Sequence, residues 1–116
     1  MRHLLAGFDP SSTVGWVLES IVFTANTVVL HFSGGNSITM LGAFSIAKER
    51  HTTFYRAPVA NFDHMGILGG LVIASKKDEG GNLDLLLDAG YEIRAIRDAE
   101  PYESYIIQAD GVEIVV

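Results

Sequence analysis

The sequence predicts an all-β protein, mainly antiparallel, in which two pseudo-repeated meanders form a sandwich or a curled sheet with at most one short helix near 61–69. Three observations predict it. Val28, Leu30 and Phe32 sit at alternate positions ahead of Gly35 and Ile38. Leu83, Leu85 and Leu87 do the same ahead of Gly90 and Ile93, 55 positions further along. Alternation, a glycine turn and a return strand mark a half-buried β-hairpin. The apolar runs are also short: the longest, Met65 to Ala74, has ten residues and three glycines, too few to cross a bilayer.

Each element follows in order. Asp9-Pro10-Ser11-Ser12 reads as a turn. Val14 to Thr24 reads as a strand, because Trp16, Leu18, Ile21 and Phe23 are apolar and β-branched residues are frequent. Ala25-Asn26 turns into Thr27–Phe32, and Ser33-Gly34-Gly35-Asn36 turns again into Ser37–Leu41. Ser45–Arg50 and Thr52–Arg56 read as two edge strands, with Lys48, Arg50 and Arg56 discouraging further pairing. Asn61 or Asp63 is placed to cap a short helix that runs through Leu68 and stops at Gly69-Gly70. Leu71–Ser75, Leu83–Leu87 and Tyr91–Ile96 form the second meander. Tyr102–Ala109 and Val112–Val116 close the chain as a hairpin across Asp110-Gly111.

At 116 residues this is expected to be one domain spanning 1–116, with pseudo-repeats at about 14–41 and 71–96 and the closing hairpin at 102–116. Absence of cysteine excludes disulfide frameworks and thiolate chemistry. The first seven residues lack the apolar run of a signal peptide, so a cytoplasmic protein is expected. Net charge is −6, unevenly spread. Residues 1–58 carry three acids against four bases, and residues 59–116 carry eleven acids against four. An acidic half repels nucleic acid and membrane surfaces and attracts basic partners.

No catalytic, cofactor or metal set emerges. His3, His31, His51 and His64 occur in no HxH, HExxH or HxxxH arrangement. Asp63-His64 lacks a serine elbow to supply a nucleophile. Gly69-Gly70 and Gly80-Gly81 lie outside any phosphate-loop context. The tyrosines have acidic neighbours, where a nucleic-acid stacking platform needs a basic groove.

The remaining candidate is an acidic surface. Asp84 alternates with Leu83, Leu85 and Leu87 and is therefore expected to face solvent or a partner. Glu92 occupies the polar face of the next strand, Asp88 the turn between them, and Asp98, Glu100 and Glu103 follow. Tyr102 and Tyr105 would add anchor area beside these carboxylates, and together the eight residues form the expected partner-binding set.

The hairpin Leu83-Asp84-Leu85-Leu86-Leu87-Asp88-Ala89-Gly90, the segment Tyr102-Glu103-Ser104-Tyr105 and the end Gly111-Val112-Glu113-Ile114-Val115-Val116 resemble a group of small bacterial β-proteins. That group pairs an L-x-L-x-x-x-x-G hairpin with a Y-E-[SA]-[YW] segment and a glycine-led apolar end. The Val28–Ile38 hairpin is similar to the group's first half. The resemblance implies a fold without an activity. By analogy it implies an immunity protein that binds and blocks a basic toxin nuclease domain. Two other readings stay open. One is a ligand-binding protein or enzyme with a pocket between the meanders near Trp16, His31 or His64. The other is an accessory homodimer, since an apolar sheet tends to self-associate.

Overall fold

Ten strands form among the described residues, 7–98 and 103–116 of a computed structural model. They make two five-stranded antiparallel sheets. The first meander supplies β1 (Leu18–Phe23), β2 (Val28–Phe32) and β3 (Ser37–Met40). A hairpin of β4 (Phe44–Lys48) and β5 (His51–Tyr55) follows. The second meander supplies β6 (Val72–Lys77), β7 (Leu83–Leu87) and β8 (Tyr91–Ala95), and the closing hairpin β9 (Tyr105–Ala109) and β10 (Val112–Val115). The first residue of the expected closing strand, Tyr102, lies outside the described residues, and β9 begins only at Tyr105.

The two meanders match in register as well as in sequence. Val28 opposes Met40 and Leu30 opposes Ile38, while Leu83 opposes Ala95 and Leu85 opposes Ile93. Both first strands carry a register shift near their start, between Leu18 and Ser20 and between Val72 and Ala74. The likeness extends through the following hairpins, but these are exchanged. The first sheet runs β1-β2-β3-β9-β10 and the second β5-β4-β8-β7-β6. Each meander is thus completed by the hairpin that follows the other one.

Alternation explains the core. Val28, Leu30, Phe32, Ile38, Met40, Tyr105 and Ile107 from the first sheet are buried in one cluster with Phe44, Ile46, Leu83, Leu85, Leu87 and Ile93 from the second. The Cα radius of gyration is 13.0 Å. Exchange also corrects one expectation: β4 is not an edge strand. It lies between β5 and β8, with Ile46 opposite Thr53 on one side and Ile93 on the other. Lys48 and Arg50 sit at the end of its hairpin, so the charges that suggested an edge are turn charges.

Two further expectations are corrected. The strand expected from Val14 begins only at Leu18, because Pro10–Thr13 is a 3-10 turn capped by Asp9 and Gly15 has φ +97°. The helix near 61–69 is a single 3-10 turn, Met65–Ile67, preceded by His64 and lacking a side-chain cap. Neither Asn61 nor Asp63 caps it. Gly69, at φ +81°, turns the chain into β6 as Gly15 turns it into β1.

Candidate functional site on the outer face of the second sheet

The eight residues expected to bind a partner do not form one surface. Glu100 and Tyr102 lie outside the described residues. Tyr105 is fully buried, and its hydroxyl donates to the Gly81 carbonyl at 2.6 Å. Burial pushes this phenol above its ordinary value, and the Asp78 and Asp84 carboxylates add to the shift. It cannot serve as a surface anchor. Its strand is central in the first sheet, between β3 and β10, and its side chain joins the core.

Asp98 is half-buried where the two sheets meet. It accepts from Arg56 at 2.8 Å, and its own N–H donates to Ser104 Oγ at 2.7 Å. Glu103 is half-buried near the same junction. Asp88, in the β7–β8 turn, is exposed and accepts the Leu71 N–H at 3.1 Å. Four residues along a strand is roughly 13 Å, so Asp88 is distant from Asp84.

Asp84 itself is the main correction. Alternation places it on the outer face as expected, yet it is only 4% exposed. Register explains why. Lys76, Asp84, Arg94, Ser45 and Phe54 stand opposite one another in succession across five strands. A short aspartate between a lysine and an arginine is covered by their longer stems. Arg94 Nε donates to Asp84 Oδ1 at 2.7 Å and Arg94 Nη2 to Asp84 Oδ2 at 3.0 Å, a bidentate pair. Asp84 holds the guanidinium above its ordinary value, with Asp78 and Glu92 contributing. The Arg94 side chain remains 40% exposed.

Beside this ladder lies an open cleft of about 240 Å³ lined by Ala74, Ser75, Lys76, Asp84, Leu86 and Glu92. Leu86 faces outward at 36% exposure, and Ile73, at the β6 bulge, is 49% exposed. Glu92 is half-buried. Among the described members of the expected set, therefore, only Asp84 and Glu92 line this cleft. The structure adds Lys76, Leu86 and Ile73, which sequence reading did not include, and Arg94, which alternation puts on the same polar face as Glu92. The opposed charges at 84 and 94 were legible by counting outward from the Gly90 turn; the contribution of β6 was not.

The equivalent row of the first sheet is Val22, Val29, Thr39, Ile106 and Val115. The two repeats thus share their inner faces and differ on their outer ones.

The residues considered for an inter-meander pocket are in separate surroundings. Trp16 is buried against Phe32 with ring centroids 5.2 Å apart. His31 is exposed on the outer face of the first sheet. His64 Nε2 and Thr53 Oγ1 are hydrogen-bonded at 3.1 Å, with the rings of Tyr55, Phe62 and Tyr91 around the imidazole. Among the described residues no group of three or more His, Asp or Glu side chains is placed to hold a metal ion, and no helix is long and apolar enough to cross a membrane.

No protein-family model, curated protein or solved structure matches this chain.

Proposed function

We propose that the chain is a non-enzymatic binding protein that neutralises a basic bacterial toxin in the cytoplasm, in the simplest case a nuclease domain, by covering it with the outer face of the second sheet. The observation that carries this reading is the divergence of the two outer faces. Where the first sheet has Val22, Val29 and Thr39, the second has Lys76, Asp84 and Arg94 beside a cleft flanked by exposed Ile73 and Leu86.

The chemistry suits a cationic protein surface. A lysine or arginine entering the cleft meets the Glu92 carboxylate, Asp84 being already engaged by Arg94, while Leu86 and Ile73 supply apolar contact. Arg94 is already held by Asp84, so little side-chain freedom is lost when it engages a partner. The net charge of −6 raises the encounter rate with a basic protein.

The test uses the full chain and a basic nuclease toxin domain, taken from a neighbouring gene where one encodes it. Leu86→Asp and Glu92→Lys alter half-exposed or exposed positions and should leave the fold within about 0.5 kcal/mol of the parent. Each should weaken binding by at least about tenfold, mainly through faster dissociation, and remove protection of cells. Unchanged affinity in the double variant would place the interface elsewhere. If no basic nuclease binds the parent chain, the reading falls and a small ligand in the cleft takes its place.

A further inference from the structure

Two open sheets have four edges, and here they are treated differently. The starts of β1 and β6 are closed against each other's approach segments. Gly69 N–H donates to Leu18 O at 2.7 Å, Gly15 N–H to Val72 O at 2.9 Å, and Val17 bridges Leu71. The last residue of β6, Lys77, also reaches the Phe8 carbonyl at 2.7 Å.

The other two edges, β5 and β10, are open. Their hairpins have two-residue turns, Glu49-Arg50 and Asp110-Gly111, which make Lys48–His51 and Ala109–Val112 the first hydrogen-bonded pairs. The two bonds exchanged between Tyr105 and Val116 fix the same phase at the other end of β10. Antiparallel pairing then turns the N–H and C=O groups of Thr52 and Phe54, and of Glu113 and Val115, away from their partner strands. Among the described residues none of these groups bonds to another segment. Unpaired backbone of this kind is a template for another strand.

The two open edges differ in charge. The β5 edge is bracketed by the bases Arg50 and Arg56, with Glu49 in its turn and Asp98 bonded to Arg56 at 2.8 Å. The β10 edge carries Asp110 and Glu113 and no base. Pairing β5 with β5 would set Arg50 opposite Arg56. Pairing β10 with β10 would gather four carboxylates on one short seam. Like charges directly opposed on a sheet are destabilising.

We propose that the chain associates with a second copy of itself by antiparallel pairing of β5 in one copy with β10 in the other. The register that uses all the open groups sets Thr52 against Val115 of the second copy and Phe54 against Glu113 of the second copy. It keeps outer face with outer face, since Phe54 and Glu113 both stand on the outer rows of their sheets. It also brings Arg56 diagonal to Glu113 of the second copy. Phe54, 68% exposed, gains a neighbour strand to pack on.

The test is the oligomeric state of the full chain by sedimentation over a concentration series. The parent protein should show reversible mass-action growth beyond one chain. Phe54→Pro and Val115→Pro each delete one outward N–H while leaving the inward ladder intact, the setting in which edge strands accept proline. Each variant alone should stay monomeric, whereas an equimolar mixture should form a one-to-one pair, because one variant retains β10 and the other β5. A parent chain that remains monomeric at every concentration overturns the proposal. So does a Phe54→Pro or Val115→Pro chain that still self-associates, or a mixture that forms no pair. Should the proline variants lose their circular dichroism signature, Glu113→Lys on the exposed edge decides the matter. It should weaken association about tenfold, and an unchanged constant overturns the proposal.

Discussion

At the scale of single residues, the pairing of Asp84 with Arg94 shows how an outer-face position acquires a structural role. Replacing Asp84 with Ala removes both hydrogen bonds and leaves a guanidinium beside Lys76 with no counter-charge in the row. Because Arg94 is 40% exposed, water recovers part of the loss. The expected cost is about 1–3 kcal/mol, between the values for exposed and buried pairs. Denaturant midpoints of Asp84→Ala and the parent, together with the double variant with Arg94→Ala, would give this coupling directly. Tyr105 makes a second residue-scale prediction. Its ordinary value is 10.0 and burial holds it higher in the fold. Above about pH 10 the unfolded chain releases this proton while the folded chain retains it. Stability is therefore full below that pH and falls as the pH rises further. Tyr105→Phe should flatten this alkaline decline and cost about 1 kcal/mol at neutral pH, the hydrogen bond to Gly81 being lost. Urea midpoints of both chains at neutral and alkaline pH measure it.

At the scale of elements, the glycines before β1 and β6 and the closing strand are the sensitive parts. Gly15 and Gly69 both lie at positive φ, +97° and +81°, with open space where a Cβ would stand. Alanine at either position meets backbone strain alone, so Gly15→Ala and Gly69→Ala should each lower stability by about 1–2 kcal/mol and by similar amounts. Thermal midpoints compare them, and a large difference would mean that the two approach segments are not equivalent. Removal of residues 112–116 strips β9 of one of its two partners and exposes the seat of Ile114, which is 5% exposed. Burial of one such side chain contributes roughly 1.5–3 kcal/mol, and a domain of this size has only about 5–15 kcal/mol in all. The truncated chain should aggregate or fail to fold, and an unchanged melting temperature would contradict this. Most strands were legible at this scale because period-2 alternation records a sheet's buried face directly. The helix through Leu68 was not, since Met65-Gly66-Ile67-Leu68 is apolar enough for one turn while three nearby glycines favour a tighter, shorter one.

For the whole molecule, the exchange of hairpins makes the two halves interdependent. β4–β5 is paired to β8 while β9–β10 is paired to β3. Cutting the connector at exposed Ala60 or Asn61 would sever the chain but neither sheet. A protease site placed there should give two fragments that co-elute in buffer and separate only in denaturant. Separation under native conditions would contradict the exchanged topology. The same topology governs how far the acidic half acts as a field. Asp84 and Asp98 are paired with Arg94 and Arg56, which neutralises part of the charge locally. Steering should therefore depend on the total of −6 more than on one patch. Raising salt should slow association with a basic partner while leaving dissociation nearly unchanged.

By itself the sequence determined the fold class, the inner faces of both meanders and the near-repeat at a spacing of 55, because alternation and glycine turns are local and each strand carries its own record of them. Tertiary structure alone decided which hairpin completes which sheet, and with it that β4 is interior, that Tyr105 is core, and that Asp84 is covered by Lys76 and Arg94. These outcomes depend on which strands lie side by side. Inter-strand adjacency is a long-range choice, settled by burying Phe44, Ile46, Tyr105 and Ile107 in one common core, and no stretch of neighbouring residues encodes it.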